Sequence, residues 1–152
     1  MTGPVVCGID ESSETVGAAG VARDLARRFD LPLLYVHVLT EDGNENQGEH
    51  RLRDLAPAGA ELAIESGHPA DRLVAVSRDR RASFLVVGNH GPRSSLLGSI
   101  SADVSRRASC PVVVVPPTVE SAPPTAVASS TGSNVEGGIV RFSLGEATKK
   151  VA

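Results

Sequence analysis

A chain of 152 residues with a formal net charge of −3 can bury the core of one domain, and it is not the basic body expected of a dedicated nucleic-acid binder. Aromatic residues make up only 3% and tryptophan is absent, so there is no platform for stacked bases. No stretch reaches the roughly 18 apolar residues of a membrane span, no signal peptide is recognisable, and the two cysteines, Cys7 and Cys110, form no CxxC; free thiols in a cytoplasmic compartment are expected, with neither nucleic acid nor membrane as partner.

In chain order, the apolar run Val5 to Ile9 reads as a first strand ending at Asp10. Ser12 and Ser13 are candidate N-caps for a helix whose inner face would carry Ala18, Ala22, Leu25, Ala26 and Phe29. Gly17 and Gly20 weaken that helix and allow close packing on a sheet. Leu33 to Leu39 (LLYVHVL) is a second strand, continuous enough to be buried on both faces, with His37 a satisfied core histidine. Residues 40–48 are polar and acidic and read as a loop, followed by a short helix over 50–56 that Pro57 stops. Residues 61–65 (ELAIE) alternate as a third strand. Pro69 suits the first position of a helix with Ala70, Leu73, Val74 and Ser77 inside. Arg78, Arg80 and Arg81 read as its solvated end.

The most informative stretch follows, from Phe84 to Pro116: a fourth strand stopping at Gly88, a glycine-bracketed turn, a helix from Gly98-Ser99 with Ile100, Val104 and Ala108 on one face, and a fifth strand, Val112 to Val115. Alternating strands and helices predict an α/β fold with a doubly wound parallel five-stranded sheet, helices on both faces. Right-handed crossovers give the strand order 3-2-1-4-5. Asp10 and Gly88 then fall at the point where the winding reverses, the usual ligand crevice of such sheets. Gly88 and Gly91 let backbone N–H groups approach an anion, and a helix start at Gly98-Ser99 adds donors and a positive dipole end. The spacing is neither a P-loop nor a dinucleotide fingerprint, and the same residues also suit a plain turn followed by a glycine-started helix. Residues 117–137 have linker composition, and 139–144 (IVRFSL) is a candidate extra strand, giving a domain over 1–117 and a linker and tail over 118–152.

VVCGIDES at the first strand, LLYVHVL at the second, ESGHPADRLVAVS, VVGNHG and LLGSISADVSRRASCPVVVVP together resemble a single universal stress protein domain over residues 4–116. The resemblance implies a Rossmann-like α/β fold of the adenine nucleotide alpha hydrolase kind, usually a homodimer. It implies a cytoplasmic stress-response protein that holds ATP as a regulatory ligand, with AMP or cAMP as other candidates and Mg accompanying the phosphates. Ile9 and Asp10 would face the ribose, Val38 would meet the adenine through its backbone, and Val87 and Gly88 would line the pocket. His90, Gly91, Gly98, Ser99 and Ile100 would surround the phosphates. The ATP-binding members carry G-x2-G-x9-G-[ST]; here six residues separate Gly91 from Gly98, three fewer. The alternative is a member that binds no nucleotide and acts as a protein-interaction module. An adenylyl transferase is disfavoured because HxGH and KMSKS-like motifs are absent, and no nucleophile–base pair or metal cluster marks an enzyme. Val112 to Val115, an uncharged edge strand between prolines, is the expected homodimer surface, with 139–144 as a rival cover.

Overall fold

The computed structural model describes residues 1–89 and 98–117, all within one compact unit, Met1–Val119. Residues 90–97 and 118–152, and with them the strand expected at 139–144, lie outside the described residues. The elements run β1 (Val5–Ile9), α1 (Thr15–Phe29), β2 (Leu33–Leu39), α2 (Glu45–Leu55), β3 (Glu61–Ser66), α3 (Pro69–Asp79), β4 (Phe84–Gly88), α4 (Ser99–Arg107) and β5 (Val112–Val115). They form one five-stranded sheet in the order 3-2-1-4-5, and every neighbouring pair is parallel.

Strand alternation sorts the core into two layers. Val5, Cys7 and Ile9 of β1 face α1 and α2 together with Tyr35, Leu52 and Val86. Val6, Leu34 and Val36 face α3 and α4 with Leu73, Leu85, Val87 and Val104. Each fully buried Val or Leu stabilises the fold by about 1.5–3 kcal/mol relative to exposure. That outweighs a helix glycine, which costs about 1 kcal/mol against alanine. Close approach of α1 comes from Ala18 and Ala22, both fully buried, whereas a side chain at Gly20 would meet nothing within 4 Å. The close packing expected of Gly20 is therefore supplied by the alanines.

Three local expectations are corrected. Neither Ser12 nor Ser13 caps α1: its N-cap is Glu14, which makes no side-chain capping bond, and the Ser12 hydroxyl donates to Asp10 Oδ1. Phe29 is half-exposed at the end of α1, where its ring tilts against Phe84 at 5.5 Å between centroids. Finally, the loop expected over 40–48 is helical from Glu45: Asn44 adopts an extended conformation and its Oδ1 accepts the Asn46 N–H at 3.0 Å. Gly48, read as a loop residue, is buried inside α2, because a Cβ there would lie 2.4 Å from His37 Cδ2. The ring of His37 lies directly against the helix.

Tyr35 lies in the middle of β2 and is 1% exposed, and its hydroxyl donates to Ala19 O of α1 at 2.7 Å. Burial, the largest cause, pushes its pKa from 10.0 to about 12. The neutral phenol is therefore favoured in the fold, so this contribution to stability is complete below pH 10 and is lost as pH rises from 10 towards 12. Because the chain has one tyrosine and no tryptophan, the phenolate absorbance reports this group alone. The expected titration midpoint is near 12 in the folded protein and near 10 in urea; equal midpoints would contradict the buried hydrogen bond.

Candidate functional site

The connections leaving β1 and β4 run to opposite faces of the sheet, and a cleft opens between their carboxyl ends. Its empty volume, open solvent at the mouth included, is about 470 Å³. Six of the residues singled out from the sequence line it: Ile9, Asp10, Val38, Val87, Gly88 and Ile100. Gly8, Val36, Pro69 and Leu73 complete the lining. Gly8 keeps the floor open, since a Cβ at this position would stand 3.0 Å from Leu73 Cδ1.

Asp10 is held by its own loop. Its Oδ1 accepts from the Ser12 N–H at 3.0 Å and from the Ser12 hydroxyl at 2.6 Å, an Asx turn that sets the direction of the carboxylate. Its backbone N–H donates to Thr15 Oγ1 at 3.2 Å. One residue earlier, Ile9 O accepts from His37 Nδ1 at 2.8 Å, which places the proton of a neutral His37 on Nδ1. His37 is thus a satisfied core histidine that also fixes the rim of the cleft.

Val38 offers its backbone. Leu39 O accepts from Gly67 N at 3.0 Å, so the backbone groups of Leu39 point towards β3. Alternation turns those of Val38 the other way, to the side where β1 has ended, Ile9 being paired with His37.

At the far end, Gly98 is the N-cap of α4, with φ −67° and ψ 164°, and contributes no side chain to capping. Asn89 supplies the cap from outside: its Oδ1 accepts the Gly98 N–H at 2.6 Å, and its N–H donates to Val115 O at 2.9 Å. Sequence reasoning passed over Asn89 as a spacer between Gly88 and Gly91; a capping residue so far from its helix in sequence leaves no spacing signal. Gly98 and Ser99 lie next to Ile100 but do not line the cleft, and Ser99 is exposed. His90 and Gly91 lie outside the described residues.

Among the described residues the walls of the cleft are aliphatic, with one carboxylate and several backbone groups at the rim. The nearby Cys7 is a neutral buried hydrophobe: burial first, and the Asp10 charge second, push its thiol pKa up. Among the described residues no group of three or more His, Cys, Asp or Glu could hold a metal ion, and no helix is long and apolar enough to cross a membrane.

A doubly wound parallel sheet with an aliphatic cleft at its reversal point is the form in which α/β domains usually hold ligands. Residues 39–116 match the model of the Universal stress protein family, and the chain belongs to that family. A universal stress protein of Mycobacterium tuberculosis is 30% identical over 154 residues, covering 90% of this chain and 57% of its own length. A second from that organism is covered over 47% of its length, so the chain spans about half the length of these curated relatives. Among solved structures, a universal stress protein in complex with cAMP superposes with a TM-score of 0.60 at 24% identity, covering 76% of this chain and 98% of that one. One from Archaeoglobus fulgidus in complex with dAMP gives 0.55 at 22% identity, covering 74% and 96%. At these identities the likeness is one of fold.

Proposed function

We propose that the cleft binds an adenine nucleotide, ATP before AMP or cAMP, as a regulatory ligand in a cytoplasmic stress-response protein. The observation that carries this reading is the convergence at the sheet's reversal point of Asp10, Val38 and Gly88, the last residue of β4. The cAMP and dAMP complexes of similar folds support the same ligand class. The adenine edge is assigned to the Val38 backbone, the ribose to Asp10 beside Ile9, and the apolar wall to Val87. Gly88 lines the pocket beside Val87, and the phosphates are assigned to His90, Gly91, Gly98, Ser99 and Ile100. The Gly98 N–H already serves Asn89, so the anion would draw on the N–H groups of the first turn beyond it. Mg²⁺ would ride on the phosphates rather than on a protein carboxylate cluster. Turnover is not part of this reading; among the described residues the cleft lining has no nucleophile–base pair.

Titration calorimetry with ATP, ADP, AMP and cAMP tests it. ATP should bind, and Asp10→Ala should weaken it by about 1.5–3 kcal/mol, the range for a hydrogen bond to a charged group. Equal ATP affinity in the two proteins would remove Asp10 from the site. No binding of any nucleotide would favour the non-nucleotide interaction module.

We further propose that residues 1–117 form the family domain with 118–152 as its tail, and that two copies pair antiparallel along β5. In the observed order β5 is an edge strand, and Val112, Val113 and Val114 are only half-buried, without a charge to block pairing. Sedimentation should give a dimer that survives truncation after Pro117 and that Val113→Lys dissociates. A dimer lost on truncation would instead assign the edge to the tail at 139–144.

A further inference from the structure

α2 reaches the rim of the cleft at two points. Its Gly48 packs on His37, whose ring holds Ile9 O. One turn on, Arg51 donates from its terminal nitrogen to Ser12 O at 3.0 Å, across 39 residues of sequence. Ser12 is the residue whose N–H and hydroxyl both bond Asp10 Oδ1. A continuous set of hydrogen bonds therefore runs from α2 through Ser12 to the carboxylate at the rim.

The bond is selective. Glu11 and Asp54 line the same surface depression as Arg51, so carboxylates stand nearby. The guanidinium nevertheless donates to a backbone carbonyl. Its Nε is enclosed, with no hydrogen-bond partner among the described residues. Enclosing a guanidinium nitrogen unpaired is unfavourable, as is giving up rotamer freedom in a long side chain. A salt bridge at the surface would also cost rotamer freedom, but it would leave Nε open to water. What the geometry achieves is a fixed Ser12 backbone, and with it a fixed Asp10.

We infer that Arg51 is a positioning residue for Asp10, making α2 part of the apparatus that recognises ribose hydroxyls. This rests on the nucleotide reading above. Arg51 does not line the cleft and acts only through Ser12. Its loss therefore affects ligands that carry the hydroxyls and spares those that do not.

The test compares ATP with 2′,3′-dideoxy-ATP on the full chain by titration. Wild type should prefer ATP. Arg51→Met should shrink that preference about tenfold, the order of one charge-assisted hydrogen bond, while dideoxy-ATP affinity stays unchanged. Arg51→Lys, which keeps a cationic donor, should restore part of the preference. In an Asp10→Ala background Arg51→Met should have no further effect, since the two act as one unit. If Arg51→Met does not fold, Arg51→Gln carries the same comparison. Equal losses for both ligands, an unchanged preference, or an effect that persists without Asp10 would each overturn the assignment. Wild type that binds neither ligand overturns the nucleotide reading itself. Wild type that binds both equally overturns the role of Asp10.

Discussion

β1 is hydrogen-bonded on both sides, to β2 from Val5 to Ile9 and to β4 from Val5 to Cys7. Every one of its side chains except the glycine is buried. A parallel strand in that position must receive helices on both faces, because its inward and outward residues are both apolar. The chain meets this by sending α1 and α2 to one face and α3 and α4 to the other. The reversal between the two windings sends the helices after β1 and β4 to opposite faces, the arrangement that opens a crevice at the strands' carboxyl ends. The cleft is the consequence, and Asp10 and Gly88 stand at its rim because they are where those two strands stop.

The sheet was legible in the sequence for this same reason. Strands buried on both faces are continuous runs such as VVCGI, LLYVHVL and VVVV, and amphipathic helices between them alternate in an easily recognised way. The order 3-2-1-4-5 followed from handedness alone. Two strand-end residues of the cleft were legible with it: Asp10 and Gly88 needed only the topology to be brought together, whereas Ile9 and Val87, which also line the cleft, were named through the family resemblance.

What escaped the sequence are contacts made across long separations by polar residues. α2 buries only Gly48 and Leu52, so it carries no apolar stripe, and its first turn looked like loop. Its reason for being helical is tertiary: Gly48 lies on His37, and Arg51 reaches Ser12. Asn89 escaped likewise, because its partner Gly98 is nine positions away. The Ser12 error has the same origin. A serine before a helix usually caps it by accepting a backbone N–H, but α1 starts later, at Thr15, and the Ser12 hydroxyl donates to the Asp10 carboxylate at 2.6 Å. In each case a local rule lost to a hydrogen bond that orders the rim of the cleft.

The most direct test of the account is a map of backbone amide shifts on adding ATP to the isotopically labelled protein. The account predicts that the perturbed amides cluster at Gly8, Ile9, Asp10, Val38, Gly88 and Ile100, with those of the β3 edge and of the surface around Phe29 unmoved. A response centred on β3 or Phe29, or no response at millimolar ATP, would contradict a nucleotide site at the reversal point of the sheet.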